Sequence, residues 1–163
     1  MKHTISILVE NHAGVLARVA GLFARRGFNI DSLAVGVTED EKISRITIIA
    51  DGTAYTLEQI EKQLNKLIDV IKVRHLPAEE LLSRDLVLIK VACQPSQRAE
   101  LISLAEIAKA KISDITVNTM TLELSDSVPR IKTFEELLRP YGIKETVRTG
   151  SIAMQKGGAS MKL

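Results

Sequence analysis

From Thr4 to Glu10 the chain alternates apolar and polar positions, with the β-branched Ile5, Ile7 and Val9 at period two, which predicts a strand. Asn11-His12-Ala13-Gly14 breaks that alternation. Val15, Leu16, Val19, Leu22 and Phe23 then recur at i, i+1, i+4, i+7 and i+8, one face of a helix. Gly27 follows Arg25 and Arg26, as expected of a C′ glycine behind a basic last turn. A second strand is predicted over residues 29–38, with Leu33, Val35 and Val37 on one face and the small Ser32, Ala34 and Gly36 on the other. Glu39-Asp40-Glu41-Lys42 turns the chain into a third strand, Ile43 to Ala50. Thr56 and Gln59 make a capping-box pattern before a helix whose apolar face is Leu57, Ile60, Leu64, Leu67 and Ile68. Val70 to Arg74 reads as a fourth strand.

The second half repeats this order. Asp85 to Cys93 reads as a strand, and Ser96 to Lys109 as a helix with Leu101, Leu104, Ala105 and Ala108 inward. Ile112 to Val117 and Met120 to Leu124 read as strands on either side of Asn118-Thr119. Pro129 suits the first turn of a helix facing inward with Ile131, Phe134, Leu137 and Leu138. Pro140-Tyr141-Gly142 ends it before a last strand, Ile143 to Arg148.

Both halves therefore have the order βαββαβ, and the predicted class is α+β with two ferredoxin-like domains. The expected boundaries are 1–76 for the first domain, 77–84 for a linker and 85–150 for the second domain. Residues 151–163, with Gly157-Gly158-Ala159-Ser160, show no periodicity and are expected to form a flexible tail.

Composition removes several function classes. Lys plus Arg is 22 against 20 for Asp plus Glu, so the charge carries no footprint for nucleic acid. Aromatics are 3% with no Trp, and Phe23, Phe28, Tyr55, Phe134 and Tyr141 lie outside the central strands. An RNA-recognition module of the same element order needs aromatics on those strands. No apolar run approaches the roughly 18 residues of a membrane span, and no signal-like segment opens the chain, so a cytoplasmic location is expected. The single cysteine, Cys93, sits in an apolar run and reads as a buried thiol. His3, His12 and His75 fall at no metal-ligand spacing, so no metal is expected. P-loop, GxSxG, HExxH and GxGxxG patterns are missing, and no catalytic constellation stands in their place.

One junction can hold a small molecule. A helix start presents unpaired amides at the positive end of its dipole and accepts a carboxylate. In Asn11-His12-Ala13-Gly14-Val15-Leu16, Gly14 permits close approach, Val15 and Leu16 bring amides, and Asn11 offers a carbonyl and an amide. On spacing alone, a turn that merely caps a helix is the simpler reading. The corresponding junction in the second half, Cys93-Gln94-Pro95-Ser96-Gln97, has no glycine and loses a donor at Pro95. A site is therefore expected in the first half.

The run from Ile5 to Val19, followed by Gly21-Leu22-Phe23-Ala24-Arg25-Arg26-Gly27-Phe28-Asn29-Ile30-Asp31-Ser32-Leu33, closely resembles the regulatory (small) subunits of acetolactate synthase, also called acetohydroxyacid synthase. Leu57 to Val70 is similar to the second helix of that family. The Asn-x-x-Gly-x-Leu turn alone is common to ACT domains, and the Arg-Gly-Phe-Asn-Ile-Asp-Ser-Leu run makes the resemblance specific. It is strong over residues 4–75 and weaker in detail beyond 80. Gly36 and Val37 stand where some relatives have Ala-Pro, which bears on the edge of a dimer and leaves the turn intact.

The resemblance implies an N-terminal ACT domain and a subunit that is not itself catalytic. The implied partner is a large subunit carrying thiamine diphosphate, FAD and magnesium (EC 2.2.1.6), with no cofactor on this chain. The small subunit is expected to activate that partner and to confer feedback inhibition by valine within branched-chain amino-acid biosynthesis. The implied effector site uses Asn11, Gly14, Val15 and Leu16 of one chain with Asn29 and Ile30 of its neighbour, so a homodimer is expected. Its amides, Asn carbonyls and apolar side chains are of the types a zwitterionic amino acid needs. A stand-alone ACT-domain regulator is the alternative.

Overall fold

The computed structural model describes residues 1–163 and divides into two units, Met1–Leu82 with Ser151–Leu163, and Ser83–Gly150. In the first unit the order is β1 (Lys2–Glu10), α1 (Val15–Arg25), β2 (Ile30–Val37), β3 (Ile43–Asp51), α2 (Ala54–Leu64) and β4 (Val70–Leu76). The sheet runs β2-β3-β1-β4 and is antiparallel throughout. Ile5, Ile7 and Val9 of β1 and Ile46 and Ile48 of β3 point to one face, where Val15, Val19, Leu22 and Phe23 of α1 and Ile60 and Leu64 of α2 complete the core. Gly27 takes φ +70, the left-handed conformation that a C′ residue adopts, one position past the Arg26 cap.

The second helix departs from expectation at both ends. Its cap is Thr53, whose Oγ1 accepts from the Thr56 amide at 3.2 Å, so the helix opens earlier than the Thr56 pattern suggested. It stops at Leu64, and Ile68, expected inward, is 94% exposed in the turn that follows. Asn65 ends the helix early by returning its side-chain amide to the Glu61 carbonyl at 2.9 Å.

The second unit contains β5 (Leu81–Ala92) from Ser83 onward, α3 (Arg98–Ala108), β6 (Lys111–Ile115), β7 (Thr119–Asp126), α4 (Val128–Leu138) and β8 (Ile143–Arg148), with sheet order β6-β7-β5-β8. Val87, Ile89, Val91, Leu122, Leu101, Ile131 and Phe134 form its core, and Cys93 is fully buried among them. Leu137, expected inward, is half exposed. The Gln94–Gln97 junction caps itself, with the Gln94 amide bonded to Gln97 Oε1 at 3.1 Å and the Gln94 side chain on the Gln97 amide.

Residues 151–163 do not fray as expected. Ile152–Gln155 forms a strand, β9, and the segment lies on the first sheet's outer face, the one turned from the helices. The Ser151 amide donates to Ser32 Oγ at 2.8 Å, and Arg45 Nη2 donates to the Ala153 carbonyl at 2.8 Å. Arg74 Nη1 reaches the Ser160 carbonyl at 3.2 Å, and Lys72 Nζ the Lys162 carbonyl at 2.6 Å. Under this cover Thr4, Ser6, Leu8 and Thr47 are buried. The sequence concealed it because the grip is mainly on backbone amides and carbonyls of the tail, which nearly every residue type carries.

Candidate functional site

The β1–α1 junction is built by backbone geometry. Gly14 is the N-cap of α1 at φ +88, a left-handed value that glycine adopts freely, and no side chain caps the helix there. The first amide to bond back along the helix is that of Arg18, on the Gly14 carbonyl at 3.1 Å. The amides of Val15, Leu16 and Ala17, at the first three helical positions, therefore have no acceptor within the helix and face the turn.

Asn11 fixes the neighbouring hairpin. Its backbone amide donates to the Lys42 carbonyl at 2.8 Å and its Nδ2 to the Glu41 carbonyl at 2.7 Å, which leaves Oδ1 as an acceptor outside those bonds. Val15 is 3% exposed and its side chain belongs to the core, so it offers the turn an amide and no apolar wall, contrary to expectation. Leu16 is 41% exposed and does offer one.

Asn29 and Ile30 lie elsewhere. Ile30 pairs with Ala50, whereas Glu10, at the mouth of the turn, pairs with Ile43. Seven strand residues separate those levels, about 24 Å along the sheet. Within one chain the six residues do not meet. Asn29 is exposed, with Nδ2 bonded to Asp31 Oδ1 at 3.0 Å, and Ile30 is half-buried against the core.

The turn also carries a charged cluster that pattern reading missed. Asp69, in the loop from α2 to β4, is buried and splits its carboxylate, with Oδ2 2.6 Å from Arg18 Nε and Oδ1 2.9 Å from His12 Nε2. Its carbonyl accepts from the Glu10 amide at 2.9 Å, which ties the loop to the end of β1. His12 Nε2 also lies 3.2 Å from Glu10 Oε2, and Nδ1 lies 3.2 Å from the Ala13 carbonyl. The Ala13 carbonyl and then Glu10 and Asp69 hold the imidazole pKa above its ordinary value. Glu10, His12 and Asp69 bring three ligand-type atoms within 4.8 Å of one another, but both Asp69 oxygens are already engaged, so the group reads as an ion-pair network. One signal was legible: a lone acid in the apolar stretch Leu67-Ile68-Asp69-Val70 has to find a partner when buried.

Residues 5–72 match the family described as the AHAS small subunit-like ACT domain, and residues 84–157 match the family described as the small subunit of acetolactate synthase. A probable acetolactate synthase small subunit of Archaeoglobus fulgidus is 49% identical over 157 residues, which cover 96% of this chain and 98% of that one. The acetolactate synthase small subunit of Mycobacterium leprae is 44% identical over 95% of this chain and 92% of its own length. The crystal structure of the small subunit from Thermotoga maritima superposes with a TM-score of 0.91 at 38% identity, covering 98% of this chain and 99% of that one. No helix here is long and apolar enough to cross a membrane. With both halves matched and the fold shared over nearly its whole length, the chain belongs to the acetolactate synthase small (regulatory) subunit family, with an ACT domain in its first half.

Proposed function

We propose that this chain activates a catalytic acetolactate synthase subunit and makes it subject to feedback inhibition by valine, within branched-chain amino-acid biosynthesis. The observation that carries the reading is the helix start at Gly14, where a left-handed glycine with no side-chain cap leaves amides facing an open turn beside the Asn11 carbonyl. These groups match the carboxylate and ammonium of an amino acid, with Leu16 as an apolar wall. Thiamine diphosphate, FAD and magnesium belong, in this reading, to the catalytic partner. The chain supplies control and no chemistry, and it works in the cytoplasm.

The site needs a second copy to be complete. β2 is an edge strand, and Val35 and Val37 are 47% and 64% exposed there. An edge that presents both unpaired backbone groups and apolar side chains suits pairing. Antiparallel pairing of β2 with its equivalent places the partner chain's β2 start beside this chain's β2 end. That end lies level with the Asn11 turn, since Val37 pairs with Ser44 and Val9 with the same residue. Asn29 and Ile30 of a neighbour thereby come level with the turn, three strand spacings or about 14 Å across the sheet, without the separation along the strands that they have within one chain. Sedimentation is expected to give a dimer at micromolar concentration; a monomer with and without valine rules out the composite site.

Reconstitution tests the function. Alone, the protein is expected to turn over no pyruvate. Mixed with its large subunit it raises acetolactate formation, and valine lowers that rate; titrating leucine and isoleucine alongside ranks the three effectors. Turnover by the isolated chain, or no change on mixing, contradicts the proposal; the latter points to an ACT-domain regulator without a synthase partner.

A further inference from the structure

We infer that Arg18 is the charged ligand of the effector's carboxylate, held in position by Asp69; this rests on the Gly14 turn being the effector site. Arg18 lies one helical turn past Gly14, on the same side of α1. Its Nη1 is 3.5 Å from the place a Cβ on Gly14 would occupy, and its Cζ is 3.9 Å from it. The guanidinium therefore stands over the space that the missing side chain leaves open.

Its orientation is fixed from behind. Asp69 engages Nε at 2.6 Å, and Asp69 is itself held by His12 and by the Glu10 amide. Gripping the guanidinium by Nε leaves Nη1 and Nη2 outside that bond, and the side chain stays 49% exposed. Those two nitrogens form the planar fork that recognises carboxylates.

Charge balance requires such a group. The helix start contributes only about half an elementary charge. Around it stand the carboxylates of Glu10 and Asp69, and Glu39, Asp40 and Glu41 lie in the adjoining hairpin turn. His12 and Lys42 are the other cations of this turn, and His12 Nε2 is taken up by Glu10 and Asp69. Arg18, with Nη1 and Nη2 outside its bond to Asp69, is the cation placed to face an incoming carboxylate, while Asn11 Oδ1 and the nearby carboxylates suit the ammonium.

A purely structural role, tying α1 to the Asp69 loop, is separated by comparing L-valine with L-valinamide, which keeps the side chain and amine and lacks the carboxylate. Equilibrium dialysis on the full-length protein is expected to show wild type preferring valine. Arg18→Gln loses about 10- to 100-fold in valine affinity with valinamide affinity unchanged, so the preference collapses. Arg18→Lys, which keeps the charge and loses the fork, falls between them. A folded Arg18→Gln protein that binds valine normally, or that loses both ligands equally, overturns the assignment. The Gly14→Asp variant keeps the two levels apart. If it is inhibited like wild type, or if wild type binds no valine, the effector site itself fails and Arg18 with it. If Gly14→Asp escapes inhibition while Arg18→Gln does not, only the role of Arg18 falls.

Discussion

Gly14→Asp is expected to abolish valine inhibition of the reconstituted enzyme while activation persists. Three effects act together at this position. A Cβ enters the space through which a ligand approaches the helix-start amides, at φ +88. The new carboxylate takes the place of the effector's own. It also lies within reach of the Arg18 guanidinium, 3.5 Å from the new Cβ, and draws off its charge. Like charges about 4 Å apart cost about 1 kcal/mol in water and about 4 kcal/mol at the effective dielectric of a protein surface. That corresponds to a rise of about 5- to 1000-fold in the inhibition midpoint before the loss of Arg18 is added. The fold should survive, because aspartate is among the residues that tolerate left-handed φ, at about 1–2 kcal/mol. Valine titration of the reconstituted variant, with circular dichroism on the same preparation, measures both parts. A folded, activating variant inhibited at the wild-type midpoint contradicts the site.

Deleting residues 151–163 is expected to destabilise the first unit by about 3–4 kcal/mol. The segment makes at least eight hydrogen bonds to it, through Ser151, Ala153, Gln155, Lys156, Ser160 and Lys162, and at the exposed-bond end of the range, about 0.5 kcal/mol net each, these sum to about 4 kcal/mol. Its loss also uncovers Leu8, now 3% exposed, and the faces of Thr4, Ser6 and Thr47. Arg45 moves the other way. Burial, reinforced by the charge of Arg74, holds its pKa below the ordinary arginine value, and the deletion returns it to water. That relief offsets part of the loss and does not replace the buried apolar contact. Thermal unfolding of the first unit should fall by on the order of 15 °C. Hydrogen exchange should accelerate at β1 and β3 amides and stay unchanged along β7. An unaltered melting curve shows that the cover contributes nothing to stability.

How far the sequence discloses the structure depends on which groups make each contact. Ile5, Ile7, Val9, Ile46 and Ile48 announced the core face by period two, and the βαββαβ order followed, because burial selects side chains and leaves a periodic trace. Gly14 and Gly27 were legible for a related reason: both take positive φ, where few other residues fit. The Asp69–Arg18 pairing was not legible. Asp69 stands out in its apolar stretch, but its partner is 51 positions away and Arg18 reads like any helix-surface arginine. Val15 shows the opposite failure. Its place in the turn suggested a wall for a ligand, but helix geometry turns its side chain into the core. The separation of Asn29 from the turn follows from strand register, which no single stretch of sequence reveals.

The cover over the first sheet also sets a timetable for synthesis. The elements from β1 to β4 have all been made once Leu76 has left the ribosome, but the segment that closes the outer face of their sheet begins about 75 residues later. At about 5–20 residues per second the interval is roughly 4–16 s. During it the outer face of a four-stranded sheet stands uncovered, with Leu8 and Thr47 bare to neighbouring nascent chains. Lys72, Arg74 and Arg45 lie on that same face. Until the tail arrives their charges are hydrated and repel one another's copies, so the groups that later grip the tail carbonyls first serve as a guard against premature stacking.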